Sequence, residues 1–351
     1  MYKLDNDFDS DFITLLAHEK NIPMYVSIEL LTSCNWNCAH CYLVNHSNSG
    51  ISQAKIFQIF NELRNLGTKD LVLTGGEIFT RPDIMDIISR ARKMGFRVSL
   101  FSNASLLNEN IVDKLVEWAV YEYSCTIFSI VDEVHDKLTG VNGSLKCVLK
   151  NIKLLMSKGV NVEVKTPLMM MNYDTLQETK KYFEDLGVKY AINPNISLKM
   201  DGSETTKEFR LNEELLRGVL PSIDNVDDFR TYSDLNNEIC PNLRYTMTIA
   251  ANGDIFPCSS FYMPVGNVYK KSLHDIWNSP YYVDLRSLRR NSLKNCADCD
   301  DYDFCSFCPG TAYLEGGDML TCCDSIKLAS HIGRDVYYAK HEKESKNGKQ
   351  V

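Results

Sequence analysis

A chain of 351 residues, 44% hydrophobic and 24% charged, has the make-up of a globular protein with room for two domains and a large core. A net charge of −8 offers nothing to attract nucleic acid or an anionic membrane. No apolar run approaches the ~18 residues that span a bilayer, and the acidic start, Met1 to Asp11, is not a signal peptide. A cytoplasmic protein is expected, and in that compartment thirteen cysteines point to metal before disulfides.

In chain order, Tyr25 to Leu31 reads as a first strand, and Cys34-Asn-Trp-Asn-Cys38-Ala-His-Cys41 follows it directly. A helix from about Ser52 carries Ile56, Ile59, Phe60, Leu63 and Leu66 on one face and stops at Gly67. A second strand, Asp70 to Leu73, runs into Thr74-Gly75-Gly76-Glu77; Pro82 then opens a helix that ends at Gly95. The unit recurs as strand Arg97 to Phe101 with helix Asn108 to Ala119, and strand Ser124 to Ile130 with helix Ser144 to Lys158. Strand Asn161 to Thr166, helix Asp174 to Leu186 and strand Lys189 to Ile192 complete it. Alternation of this kind predicts an α/β fold with a parallel sheet and right-handed crossovers. Six strands are too few for a closed eight-stranded barrel, so an open, partial barrel is expected, with its site at the C-terminal strand ends. Cys34–Cys41, Gly75–Glu77, Ser102-Asn103, Ser129 and Lys165 all fall at such ends.

Residues 1–195 thus form the expected barrel. A polar stretch from Asn195 to Phe209, a short helix near Asn212 to Val219 and an acidic loop to Glu238 make 196–239 a bridge. From Cys240 to about 335 the chain is turn-rich and cysteine-dense, and 336–351 reads as a charged tail that frays into solvent from Lys340. Cys125 and Cys147 stand apart in apolar contexts and read as small core residues.

Three thiols at C-x3-C-x2-C are an unusual ligand set. Structural zinc prefers four ligands, and disulfides use thiols in pairs. A cubane iron–sulfur cluster takes one thiolate per iron, so three leave one iron open. On spacing alone, a zinc site completed by His40 or His46 remains the alternative, and Gly75-Gly76-Glu77 alone could be an ordinary turn. The later set has Gly253 separated from Cys258 by four residues (G-x4-C), with Cys240 before it. Cys296-x2-Cys299-x5-Cys305-x2-Cys308 and Cys322-Cys323 follow. Its C-x2-C pairs, read alone, also fit a zinc ribbon.

Taken together, C-x3-C-x2-C after strand one and Gly-Gly-Glu after strand two resemble the radical S-adenosylmethionine (SAM) superfamily, and the C-terminal cysteines resemble its SPASM subfamily. Gly266-Asn267-Val268 and Ile276-Trp277-Asn278-Ser279-Pro280 resemble the SPASM linker. The resemblance implies a partial (β/α)6 radical SAM barrel followed by a small cysteine-rich SPASM-type domain. Cys34, Cys38 and Cys41 would hold a 4Fe–4S cluster whose fourth iron binds the amino and carboxylate groups of SAM. Reductive cleavage would give a 5′-deoxyadenosyl radical that abstracts a substrate hydrogen, chemistry that belongs to the cofactor. His40, where an aromatic is usual, would lie by the adenine, with Tyr42 following. Glu77, behind Gly75 and Gly76, would accept from the methionyl amine. Ser129 would meet the ribose or carboxylate, while Asn103 and Lys165 are placed at the site only by strand order. His135-Asp136 continues a family-like run to Gly140. Cys240, Cys258 and Cys308 would ligate a first auxiliary 4Fe–4S cluster with an open iron. Cys296, Cys299, Cys305 and Cys322 (or Cys323) would ligate a second.

The function implied is modification of a peptide or protein side chain, such as a carbon–carbon or carbon–sulfur cross-link, with a flavodoxin- or ferredoxin-type reductant. Only 33 residues precede Cys34, too few for the winged-helix leader-binding domain of many peptide maturases. A separate recognition protein, or a small substrate, would follow. A haem-pathway tetrapyrrole is the alternative substrate. A zinc-stabilised binding or redox-sensing protein is the alternative of another class.

Overall fold

A computed structural model of the chain describes residues 8–223, 226–229, 234–294, 296 and 298–347. Helix α1 (Phe8–Lys20) precedes β1 (Tyr25–Glu29). After the long cysteine loop, α2 (Gln53–Leu66) starts at Ser52, whose hydroxyl accepts the Lys55 N–H, and stops at Gly67 with φ 91°. Next come β2 (Asp70–Thr74), α3 (Ile84–Lys93), β3 (Arg97–Phe101) and α4 (Glu109–Glu117), the last capped by Asn108. β4 (Glu122–Thr126) is followed by α5 (Asp132–Thr139) and α6 (Ser144–Ser157). β5 (Val162–Pro167), α7 (Leu176–Leu186) and β6 (Lys189–Asn193) end the series.

The remainder holds α8 (Glu213–Ile223), β7 (Thr246–Ile249), β8 (Asp254–Phe256) and β9 (Gly266–Asn267). It finishes with α9 (Leu273–Trp277), α10 (Pro280–Ser287), α11 (Pro309–Gly316) and α12 (Asp324–Asn347).

The strands lie in the order β6-β5-β4-β3-β2-β1-β7-β8-β9. From β1 to β6 the neighbours are sequential and parallel. Each crossover therefore steps the same way, which is the winding of a partial barrel rather than of a doubly wound sheet. Strand side chains alternate between faces. Val26, Ile28, Leu71, Leu73, Val98 and Leu100 go outward into the helix layer of Ile56, Phe60 and Ile88. Thr74, Phe101, Thr126 and Lys165 go inward to a cavity. β7 pairs in parallel with β1, joined by a 2.7 Å hydroxyl contact between Ser27 and Thr248. The cysteine-rich segment is thereby attached to the strand that precedes the first cysteine loop. Trp277 Nε1 donating to the Asn21 carbonyl at 2.6 Å, and Leu273 N–H to Glu62 at 2.6 Å, brace the same junction.

Three elements differ from expectation. β4 ends at Thr126 instead of Ile130, because side chains capture the backbone of Phe128: its N–H donates to His135 Nδ1 and its carbonyl accepts from Asn172. Helix α5, which the pattern did not signal, begins just after that turn. Residues 324–347 form one helix, which runs on through the start of the tail expected from 336 and fraying from Lys340; Arg334 pairs with Asp301 at 2.7 Å and Asp335 with Arg217 at 2.9 Å. Residues 348–351 of that tail lie outside the described residues, as do 1–7 of the acidic start and 224–225 and 230–233 of the acidic loop. Among the described residues no helix is long and apolar enough to cross a membrane.

Arg81 fixes the loop between β1 and α2. It is 8% exposed, and its Nη1 donates to the carbonyls of Leu30, Ile51 and Ser49 at 2.8, 3.0 and 3.2 Å. Its other nitrogens clasp Asp83. Arg81→Met leaves those carbonyls unpaired in a dry interior, so a loss of about 3 kcal/mol is expected in denaturant unfolding. A loss below about 1 kcal/mol would mean that water replaces the guanidinium there.

Candidate functional site

The cysteine loop is shaped by backbone contacts on two sides. Asn37 and Ala39 N–H groups donate to the carbonyls of Thr139 and Leu138 at the end of α5, both at 3.0 Å. On the other side, Gly76 and Glu77 N–H groups donate to Leu31 and Ser33, both at 2.9 Å. A Cβ on Gly75 would meet the Leu31 oxygen at 2.3 Å, and one on Gly76 the Ser33 oxygen at 2.2 Å. Only glycine permits that approach. The two sequence signals are therefore one object, a cysteine loop laid against a glycine turn.

Between them lies a cavity of ≈240 Å³, lined by Cys34, Cys38 and Cys41 together with Gly75 and Gly76. His40, Tyr42, Asn103 and Lys165 also line it. Lys165 pairs with Glu163 at 2.8 Å and lies 4.0 Å over the Phe101 ring. Asn103 is tied to the cysteine loop through Asn35, at 2.8 Å.

Two expected residues are held behind the wall. Glu77 is fully buried, and its carboxylate accepts from Ser102 Oγ, the Asn103 N–H and the Phe79 N–H. Ser129 is also fully buried, its hydroxyl accepting the Val131 N–H at the entry to α5. Thr126 and Phe128 line the cavity near that strand end instead, which the longer strand expected from the sequence had concealed.

Burial pushes all three thiols up, joined by neighbouring thiols for Cys34 and Cys38 and by Glu29 for Cys41, where the Leu43 N–H and Lys199 oppose it. For Cys38, burial acts first, then the Cys41 and Cys34 thiols; for Cys34, burial is joined by Glu77 and Cys41. Crowded thiols of this kind resist becoming thiolates unless a cation shares the site. Burial lowers the His40 pKa to about 4, so the ring is neutral, and its buried Nδ1 has no hydrogen-bond partner. His46 reaches Cys41 Sγ at 3.3 Å and also lines the cavity, with Lys199 close by. His135 faces Phe128 and Trp36 and does not line the cavity.

The later cysteines fall into two sets. Cys240 and Cys308 both act on the Cys258 thiol, which burial raises to about 12; burial likewise raises Cys240 to about 11. The approach is made by Gly310 at the start of α11, where a Cβ would meet the Ser260 oxygen at 2.2 Å. In the second set, Cys305 and Cys299 act on Cys296, and Cys322, raised to about 11 chiefly by burial, feels Cys305 and Cys296. Cys323 is buried, with its sulfur 3.4 Å from the Ser325 hydroxyl. Among the described residues no three His, Cys, Asp or Glu side chains close around a single-ion position.

An aromatic pair joins the first loop to the nearer of these sets. Tyr42 donates to buried Glu29 at 2.7 Å and stacks on Tyr262, with centroids 6.1 Å apart and planes at 12°. Tyr262 in turn lies close enough to both Cys258 and Cys41 to feel their charge.

Comparison with known proteins adds the following. Residues 28–186 match the family model of the Radical SAM superfamily, and residues 240–300 that of SPASM, an iron–sulfur cluster-binding domain. The chain is 24% identical over 339 residues to AdoMet-dependent heme synthase of Methanosarcina barkeri, covering 86% of this chain and 95% of that protein. It is 25% identical over 311 residues to the antilisterial bacteriocin subtilosin biosynthesis protein AlbA of Bacillus subtilis, covering 86% and 69%. Its fold is similar to that of Streptococcus suis SuiB bound to precursor peptide SuiA: TM-score 0.64, 19% identity, 93% of this chain and 84% of that one. It is similar also to anSMEcpe with bound AdoMet, at TM-score 0.71 and 12% identity, over 94% and 100% of the chains.

Proposed function

From the premise that this chain is a radical SAM enzyme carrying a SPASM domain, we propose that it cleaves SAM reductively and uses the resulting radical to modify a peptide or protein side chain. The observation that carries the reading is the convergence of Cys34, Cys38 and Cys41 on one cavity with the Gly75–Gly76 turn. The donor set fits a cluster: three thiols, one short of the number of irons in a cubane, on a loop seated against the glycine turn too closely for any Cβ. When bound, the cluster supplies the electron that breaks the SAM sulfonium.

The chain's own residues supply position. Gly75 and Gly76 let the cysteine loop seat directly on the turn after β2, which walls the cavity. Glu77 stiffens the wall by holding Ser102 and Asn103. Neutral His40 offers a buried Nδ1, and Lys165 a cation on the strand side. Ser129 would act through the α5 turn.

Cys240, Cys258 and Cys308 would hold a first auxiliary cluster with an open position. Cys296, Cys299, Cys305 and Cys322 would hold a second. The grouping of thiols that feel one another supports this division, and the Cys323 contact with Ser325 favours Cys322. We divide the chain at 195 and 239 into barrel, bridge and SPASM region. We place it in the cytoplasm, where thirteen unpaired thiols stay reduced, served by a flavodoxin- or ferredoxin-type reductant and a separate peptide-recognition protein.

Likeness to AlbA and SuiB supports a peptide. A tetrapyrrole is the second reading, favoured by the likeness to a heme synthase over nearly its whole length.

Metal analysis of anaerobically prepared protein tests the cluster assignment. About twelve irons per chain, with matching sulfide, are expected from three cubanes. Two zincs with little iron would overturn it in favour of a zinc-stabilised binding protein. For the substrate, incubation with SAM and reductant should alter the mass of a peptide; alteration of a porphyrin alone would favour the second reading.

A further inference from the structure

Arg290 is a buried cation without a visible counter-charge. It is 8% exposed, in a short turn just ahead of Cys296. One Nη donates to the Cys305 carbonyl at 3.0 Å, and the guanidinium lies 4.9 Å over the Tyr302 ring. Its Nε is buried and bonded to nothing, and no carboxylate pairs with it among the described residues. Its neighbour Arg289, by contrast, faces Glu238. A guanidinium cannot shed its proton to escape this position, so its charge calls for an anionic partner there. The groups it faces are thiols: burial raises Cys296 and Cys305, and Arg290 offsets part of the rise for both.

A second unpaired donor stands beside it. The Tyr302 hydroxyl is buried without a partner. Its residue is clamped inside the thiol loop, with its N–H on the Cys299 carbonyl at 3.0 Å and its carbonyl accepting the Cys305 N–H at 3.2 Å. Helix α12 closes the place from outside through Arg334 on Asp301 and Ser330 beside Cys305. A buried guanidinium with its Nε unpaired thus lies beside Cys305 and over the ring of Tyr302, whose hydroxyl is unpaired too.

We infer that Arg290 and Tyr302 are the built-in counter-ion and hydrogen-bond donor of an anionic iron–sulfur cluster on Cys296, Cys299, Cys305 and Cys322, and that they hold its reduction potential up. This rests on the cluster reading proposed above. Reduction adds one electron to a centre that is already negative, so a fixed positive charge and donated hydrogen bonds favour the reduced form.

The test is a redox titration of the full, reconstituted chain followed by electron paramagnetic resonance, with the signal lost in Cys296→Ala assigned to this cluster. Arg290→Met should lower the reduced-to-oxidised ratio about tenfold at the wild-type midpoint, equivalent to ~59 mV for one electron. Tyr302→Phe should shift it the same way by less, and Arg290→Lys should restore most of it. If Arg290→Met instead loses about four irons while Arg290→Lys keeps them, the positive charge holds the cluster and the inference stands. An unchanged midpoint in Arg290→Met at full iron content overturns it alone, as does loss of iron in both Arg290 variants with no shift in Tyr302→Phe. Wild-type protein with only about eight irons and no signal sensitive to Cys296→Ala overturns the cluster reading at this thiol set, and the inference with it.

Discussion

Cys34→Ala is expected to abolish 5′-deoxyadenosine formation from SAM under strong reductant, while the protein still folds. The cysteine loop offers the cavity three thiols, the other cysteine of its lining being Cys125 on β4; with two loop thiols, a cubane loses a second protein ligand and the site no longer fixes which iron stays open. Cys34 is half-buried on the loop, its sulfur accepting the Trp36 N–H at 3.4 Å. A methyl group in its place disturbs the core little. The loop also keeps its backbone bonds to Thr139 and Leu138. Thermal unfolding should therefore stay close to wild type and iron should fall by about four atoms per chain. Cys147→Ala, at an exposed thiol outside both later sets, is the control expected to change neither. Wild-type turnover in Cys34→Ala would remove the triad from the mechanism.

What was legible in the sequence was mostly local. The stop at Gly67 and the cap at Ser52 are written within a few residues of the helix they bound, and β3 could be read to the residue. The end of β4 could not. Phe128 leaves the ladder because His135 and Asn172 take its backbone, and Asn172 is 44 residues away. Ser129 was counted a cavity residue on the same mistaken extension. Glu77 shows a different limit. Its position after two glycines is plain and its bond from the Phe79 N–H is local, but its partners Ser102 and Asn103 come to it only because β2 and β3 are neighbours.

The C-terminal helix was hidden for a third reason. Its hydrophobic periodicity is weak, and long-range ion pairs to Asp301 and Arg217 hold it down. Spacing located the later cysteines without saying which would meet. That depends on the close seating of Gly310 on Ser260 and on Cys323 facing Ser325.

On the proposed function, Cys258→Ala should separate SAM cleavage from substrate modification. Cys258 stands with Cys240 and Cys308, and the only described link from that set to the cysteine loop through aromatic side chains runs by Tyr262 and Tyr42. Removing this thiol leaves the loop, its glycine turn and the Arg81 clasp untouched. SAM cleavage should thus continue, since it needs only the first site. After hydrogen abstraction, however, a substrate cross-link leaves one electron to be accepted. With the first auxiliary set broken, that electron loses the proposed acceptor nearest the cysteine loop, and the substrate radical is expected to take an electron from the external reductant and a proton from solvent, returning to unmodified substrate. The variant should then carry about four fewer irons, make 5′-deoxyadenosine, and yield no modified product. Product formed at the wild-type rate with those irons missing would reduce this thiol set to a structural brace. Loss of 5′-deoxyadenosine as well would show instead that the two sites are coupled before cleavage, making the Tyr42–Tyr262 stack and the Glu29 carboxylate beneath it the next residues to change.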